Sequence, residues 1–304
     1  MADCGGVRYH RQRRRLPASA PVGRREGVQL AEFLAIHQSD ASLLGCVLRR
    51  LAGKVSLGPA QPTAGVGFFQ SDDVLLRKRP SSGQQPLPEL LAEGVESEAA
   101  LICSGAVSGP GSARSEAMTL PFRFKKWLFA AAGAPEALSP IRATLLEGLP
   151  DYLRRSVKGD SAAEALFFAF LSRLRDAGRL DDHDVDAPTV ARALAAAAGG
   201  AERAFEQEGQ PLPALALLAT NGRVMAALRR GHPLWLGVFD GLVPCQRCEI
   251  GETASDLDPR VNSHKRLRAA MFISGAQASP EGFRELAEGE VLAVPRGLTE
   301  IEAL

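Results

Sequence analysis

The chain has 304 residues, of which 45% are hydrophobic and 23% charged, and its formal net charge is +1 at pH 7. A chain of this size and apolar content can bury one large core or two modest ones, which excludes a disordered protein. No apolar run is long enough to predict a membrane span. Five cysteines, an odd number spread along the chain, do not indicate a disulfide framework. We therefore expect a soluble, cytoplasmic protein that has no membrane partner.

The charge is unevenly distributed along the chain. Residues 1–28 carry a net charge of +5 and residues 29–304 a net charge of −4. We predict a basic, flexible extension over residues 1–28, or a mature chain that begins further downstream, followed by one domain over residues 29–304. The alternative is an arm that binds nucleic acid, without sequence specificity because Tyr9 is its only aromatic residue. The central basic residues of this arm are Arg11, Arg13, Arg14 and Arg15.

The first half of the domain is predicted to consist mainly of strands. Residues 30–36 predict a first strand, and the capping pair Ser39-Asp40 precedes a helical pattern that extends to Leu51. Two apolar stretches within residues 65–77 predict a hairpin. Residues 99–103 predict a buried strand, which leads into a mobile loop rich in Gly, Ser and Pro.

The second half is predicted to contain a helical block and then further strands. Ser161 or Asp160, with Glu164 downstream, predicts a helix start, and Asn221-Gly222 predicts a hairpin. The order of strands, helices and strands favours an α+β fold over repeated βαβ units. The predicted helices cover residues 141–149, 161–177 and 189–207. The predicted strands cover residues 124–130, 215–220, 224–228, 234–239, 269–273 and 290–295.

The segment of residues 120–133 is the most informative part of the sequence. It reads Leu-Pro-Phe-Arg-Phe-Lys-Lys-Trp-Leu-Phe-Ala-Ala-Ala-Gly, in which a turn-forming proline leads into an apolar strand that ends at Gly133. With segments 65–68, 159–167 and 219–222, in the same order, it resembles the class II glutamine amidotransferases, especially their compact bacterial stand-alone branch. These proteins are N-terminal nucleophile hydrolases. The resemblance implies an α+β fold, a four-layer αββα sandwich of that type.

The same resemblance implies that the catalytic groups have been replaced. In the family, an N-terminal cysteine attacks the amide of glutamine and its own α-amine acts as the base. The nucleophile position falls on Ala31, which thirty residues precede, and the Asn-Gly oxyanion turn falls on Ala132 and Gly133. The other positions that would contact substrate are Ala106, Leu120, Ala162 and Ala163. We expect a pseudoenzyme that serves as a binding or scaffolding module or as an assembly subunit, through a protein partner or self-association.

Two alternatives would restore activity with a displaced nucleophile. Removal of residues 1–3 would make Cys4 N-terminal, although a charged tail would then separate it from the first strand. Cys103 or Ser104 could otherwise serve as the nucleophile of a glutaminase or another amide hydrolase.

Cys245 and Cys248 form a C-x-x-C pair, which is half of a zinc knuckle. His264 lies downstream as a third candidate ligand, and His232 lies upstream as a possible fourth. We favour two reduced cysteines in a surface loop, and no cofactor, over a zinc site. A redox motif is disfavoured because no helix clearly follows the pair.

Overall fold

The computed structural model describes residues 29–51, 55–57, 63–80, 92–104, 116–275, 280–298 and 302–303. Short 3₁₀ helices cover Ala41–Leu43, Glu116–Met118 and Pro135–Ile141. The α-helices are α1 (Leu44–Leu51), α2 (Arg142–Glu147), α3 (Asp151–Arg154), α4 (Ala162–Asp176), α5 (Ala187–Gln207) and α6 (Pro259–Arg266). The strands are β1 (Gln29–Ala31), β2 (Phe33–Gln38), β3 (Val55–Leu57), β4 (Thr63–Gln70), β5 (Asp73–Pro80), β6 (Ala99–Ser104), β7 (Phe122–Phe124), β8 (Trp127–Gly133), β9 (Leu215–Thr220), β10 (Val224–Arg230), β11 (Leu234–Asp240), β12 (Arg268–Ser274), β13 (Phe283–Glu285), β14 (Val291–Pro295) and β15 (Glu302–Ala303).

Two large sheets organise the described part of the chain. One has seven strands in the order β13-β11-β12-β2-β6-β4-β5, and the other has six in the order β15-β14-β10-β9-β8-β7. Neighbouring strands within both sheets are antiparallel. β1 and β3 form a separate parallel pair. The connections are therefore mainly hairpins and crossings between sheets, as the predicted α+β order requires.

The alternation of side chains along β2 explains how the layers are assembled. Phe33 and Ala35 lie in the main core, where the seven-stranded sheet faces the six-stranded sheet. Leu34 and Ile36 point the other way, into a second core with the buried face of α1. A strand that is buried on both faces favours apolar residues at successive positions, which is why residues 33–36 form a continuous apolar run.

A helical layer also covers the outer face of the six-stranded sheet. α5 packs on β10 and β14, and α4 packs beside α5. Phe167 of α4 stacks on Phe129 of β8 with 5.2 Å between ring centroids. The molecule is thus a four-layer αββα sandwich, as predicted. Among the described residues, none of the helices combines the length and the apolar character needed to cross a membrane.

Both predicted hairpins are present, but some predicted boundaries differ and one helix was not predicted. The predicted first strand is divided at Glu32 because β1 pairs with β3, whereas β2 belongs to the seven-stranded sheet. The helix predicted from residue 189 begins at Ala187, where Asp186 caps it. Helix α6 was not predicted, although Asp258 caps it and Pro259 occupies its first turn.

Candidate functional site

Ala132 and Gly133, which the resemblance matches to the family's oxyanion turn, lie at the end of β8. The backbone at Gly133 requires glycine. Gly133 has a φ of +94°, a conformation that residues with a Cβ rarely adopt. A Cβ at this position would also lie 2.3 Å from the carbonyl oxygen of Ala214 and 3.0 Å from the His232 ring. The chain around Gly133 is therefore closely surrounded, and its amide is directed at a polar partner.

That partner is Glu32, which lies between β1 and β2. Its backbone is held on both sides, because its amide donates to the Ser274 carbonyl at 3.0 Å and its carbonyl accepts from the Ser104 amide at 2.9 Å. Its Oε2 accepts a hydrogen bond from the Gly133 amide at 2.9 Å. Its Oε1 lies 3.0 Å from Nε2 of His232. One carboxylate thus joins the end of β8 in one sheet to the start of β2 in the other.

The electrostatics of this contact favour a charged carboxylate. Burial alone would raise the pKa of Glu32, but the contact with His232 and the hydrogen bond from the Gly133 amide outweigh it and lower that pKa below its ordinary value. Glu32 is therefore ionised at neutral pH. The Gly133 amide, the one oxyanion donor that the resemblance leaves in place, already binds an anion that belongs to the chain itself.

The positions expected to form a substrate pocket are largely packed into the core. Ala132, Ala162 and Ala163 are buried there, the last two in the first turn of α4. Leu120 is also buried, and it precedes a cis peptide bond to Pro121. Ala31 is the last residue of β1, whereas Ala106, Cys4 and the arginines of the N-terminal arm lie outside the described residues. The structure thus places Ala132, Ala162 and Ala163 in packing roles.

The two other candidate nucleophiles are poorly placed for attack. Cys103 is fully buried in the main core, and this burial raises the pKa of its thiol well above the ordinary range. The hydroxyl oxygen of Ser104 is buried and has no hydrogen-bond partner among the described residues.

A polar cavity of about 420 Å³ lies at the opposite end of β8, away from Glu32. It is lined by side chains of both charges, including Asp72, Lys126, Arg223 and Arg296, and by the Asn221-Gly222 turn. Its lining shares no residue with the predicted substrate pocket. Sequence reasoning gave no sign of it because its walls come from several separate turns.

The three predicted metal ligands lie together, but the fourth ligand differs from the prediction. Ligand atoms of Cys245, Cys248 and His264 lie within 4.8 Å of one another and of the Cys46 thiol. His232, the possible fourth ligand named from the sequence, lies instead beside Glu32 at the other site. Cys46 comes from α1 and was missed because it reads as one more apolar position of that helix.

This cluster is largely buried in the second core. Cys46, Cys245 and His264 are buried and Cys248 is partly exposed. The sulfur atoms of Cys46 and Cys248 are 3.4 Å apart. Burial, with the neighbouring Cys248 and Cys245 thiols, raises the pKa of Cys46 to about 12. These side chains could together hold a soft divalent metal ion.

The sandwich is the fold of the class II glutamine amidotransferases, of the N-terminal nucleophile hydrolase type. The chain is similar to a glutamine aminotransferase class-II domain protein from Silicibacter pomeroyi, with 16% identity, a TM-score of 0.53, and 90% of this chain and 97% of that chain covered. A predicted glutamine amidotransferase from Pseudomonas aeruginosa is 15% identical, with a TM-score of 0.47 and coverage of 91% and 98%. Comparison of the sequence with family models and with curated proteins gives no match. At these identities the likeness defines the fold alone.

Proposed function

We propose that this chain is a non-catalytic relative of the class II glutamine amidotransferases, which acts as a protein-binding or scaffolding module or as an assembly subunit. The observation that carries the proposal is the hydrogen bond from the Gly133 amide to the Glu32 carboxylate. The amide that would stabilise a reaction intermediate is engaged by a carboxylate that is charged at neutral pH. The replaced nucleophile at Ala31 and the missing side-chain donor at Ala132 support the same conclusion.

The size of the electrostatic obstacle can be estimated. Hydrolysis of an amide builds negative charge on the carbonyl oxygen, and a lost donor costs about 2.7–4 kcal/mol of transition-state stabilisation. Two unit charges about 4 Å apart repel by about 4 kcal/mol at an effective dielectric constant of 20. Solvent screens the half-exposed Glu32 carboxylate and reduces the repulsion, so the lost donor and the repulsion together oppose the reaction by about 4 kcal/mol or more, a factor of at least about 10³ in rate. This obstacle is additional to the absence of a nucleophile from the family position.

The binding role rests on what the chain has retained. Both cores are continuous, and Ala132, Ala162 and Ala163, three of the positions that the resemblance assigns to substrate, pack within the main core. A fold that keeps its packing while its reactive groups are replaced still offers a stable surface to another protein or to a second copy of itself. The chemistry of that partner is not specified by the Glu32 site.

The first test is ammonia release from glutamine by the full-length protein. We expect wild type and Glu32→Ala to release ammonia no faster than buffer alone. Freeing the Gly133 amide from the carboxylate restores neither a nucleophile nor a base. The proposal is contradicted if wild type turns glutamine over and Cys4→Ala, Cys103→Ala or Ser104→Ala abolishes that turnover.

The second test addresses the binding role. We expect the endogenous protein in a fresh cell extract to elute from gel filtration well above its own mass of 32.3 kDa. The purified protein, run alone, is the control that distinguishes self-association from a partner. Elution at the monomer mass in both samples would contradict the scaffolding role.

A further inference from the structure

We propose that Cys46, Cys245, Cys248 and His264 form a structural zinc site with three thiolate ligands and one imidazole ligand. The site goes beyond the proposed function, because it lies in the second core, away from Glu32 and Gly133. Closed sites with four Cys and His ligands are the usual form of structural zinc.

The spacing of the ligand atoms suits tetrahedral coordination. With Zn–S bonds of about 2.3 Å, two sulfur ligands of a tetrahedral zinc ion lie about 3.8 Å apart. The four ligand atoms all lie within 4.8 Å of one another, and the sulfur atoms of Cys46 and Cys248 are 3.4 Å apart. The separations therefore differ from this geometry by about 1 Å at most.

The orientation of His264 independently indicates a ligand at the centre of the cluster. Its Nδ1 lies 2.7 Å from the backbone carbonyl oxygen of Arg260, which can only accept a hydrogen bond. Nδ1 therefore carries the proton, and Nε2 presents a lone pair. Nε2 is buried and has no hydrogen-bond partner among the described residues. A carbonyl that fixes the tautomer of a histidine in this way is the usual outer-shell partner of a metal ligand.

The loop that carries the two neighbouring cysteines is closed on itself. Cys245 and Ile250 exchange both backbone hydrogen bonds, at 2.9 and 3.0 Å. Glu249 reverses the chain with a φ of +57°. This tight turn holds the thiols of Cys245 and Cys248 on the same side, facing α1 and α6.

The competing uses of these residues explain less of the arrangement. A disulfide between Cys46 and Cys248 would leave the Cys245 thiol and Nε2 of His264 buried and unused. A redox pair needs an accessible, acidic thiol, whereas Cys46 and Cys245 are buried. Zinc engages all four groups at once. It also links α1 to the loop after β11 and to α6, and Cys46 of α1 is 202 positions from Cys248 in sequence.

The test is metal analysis and cobalt substitution of the full-length protein. We expect about one zinc ion per chain after purification without added metal. Replacement by Co²⁺ should give the charge-transfer and visible absorption bands of a tetrahedral thiolate site. Cys248→Ser and His264→Ala should lose the zinc on dialysis against a chelator. Cys103→Ala removes a buried cysteine outside the cluster and should keep it.

A further variant keeps the test decisive if loss of a ligand prevents folding. His264→Cys retains four ligands, so it should bind one metal ion and shift the cobalt spectrum to that of four thiolates. An unshifted spectrum would overturn the proposal. So would folded wild-type protein with less than about 0.1 zinc per chain and no cobalt bands under reducing conditions. Full zinc retention in both Cys248→Ser and His264→Ala would place the metal elsewhere and would also overturn it.

Discussion

Gly133 is held by two independent constraints, its positive φ and its contact with the carbonyl of Ala214. We predict that Gly133→Ala lowers the free energy of unfolding by about 3 kcal/mol, because backbone strain and a steric clash add together. Urea denaturation measures this difference. Gly178→Ala is the matched control, since Gly178 has a φ of +70° but no atom lies within 4 Å of the place that a Cβ would occupy. Gly178→Ala should lower the free energy of unfolding by only about 1 kcal/mol. An equal loss in both variants would show that the close approach of Gly133 to Ala214 is unimportant.

His37, a buried residue of β2, should make stability depend on pH. Burial, and then the positive charge of Arg296, lower the pKa of His37 to about 4 from 6.5, although the Val294 carbonyl acts in the opposite direction. The folded state thus binds fewer protons than the unfolded state between these values. The free energy of unfolding therefore keeps its full value above pH 6.5 and falls by about 3 kcal/mol as the pH decreases to 4.

The control for this pH dependence is His37→Leu, which removes the titrating group from the same buried position. Denaturation curves from pH 7.5 to 4 should show a difference in slope between the two proteins, whatever their absolute stabilities. Parallel curves would mean that His37 does not lose its proton on folding.

At the level of elements, the start of α4 shows how local sequence signals and tertiary packing combine. Ser161 is the N-cap and accepts from the Ala163 amide at 3.1 Å, as the sequence predicted. Glu164 reaches further back, and its carboxylate accepts from the amides of Lys158 at 3.1 Å and Gly159 at 2.7 Å. Glu164 is buried, so its loss would leave two backbone donors without their partner.

We predict that Glu164→Ala costs about 2 kcal/mol of folding free energy, the range for hydrogen bonds to a charged group. Thermal or urea denaturation measures the effect. Glu206→Ala is the control, because Glu206 is an exposed glutamate near the end of α5, and it should change stability by less than about 0.5 kcal/mol. A Glu164→Ala variant as stable as the control would contradict the bridging role.

The cluster of Cys46, Cys245, Cys248 and His264 could be predicted from the sequence only in part. The C-x-x-C pair and His264 are recognisable from their residue types and spacing. Cys46 is not, because it lies about two hundred positions earlier and fits the apolar face of α1. The order Asp258-Pro259 followed by a basic last turn was a usable signal for α6, and it would have placed His264 on a helix.

Over the whole molecule, the sequence predicted most strands and the hairpins, since these depend on alternation and turn residues, and the family resemblance implied the four-layer order. It did not predict the contact between Glu32 and Gly133. That contact requires the ends of β2 and β8, in different sheets, to meet at one point. The basic extension over residues 1–28 and its possible nucleic-acid partner stay predictions, because this segment lies outside the described residues.

The central claim is that the Gly133 amide is engaged by the chain's own carboxylate and is closed to substrate. The most direct measurement is the Gly133 amide resonance of ¹⁵N-labelled full-length protein, titrated with glutamine and glutamate to beyond roughly 1 mM, the upper end of common KM values. We predict no saturable shift with either ligand. The resonance should instead move as Glu32 takes up a proton, below the ordinary pH range of a glutamate, and Glu32→Gln should abolish that movement. A saturable shift with glutamine or glutamate in the wild-type protein would contradict the account.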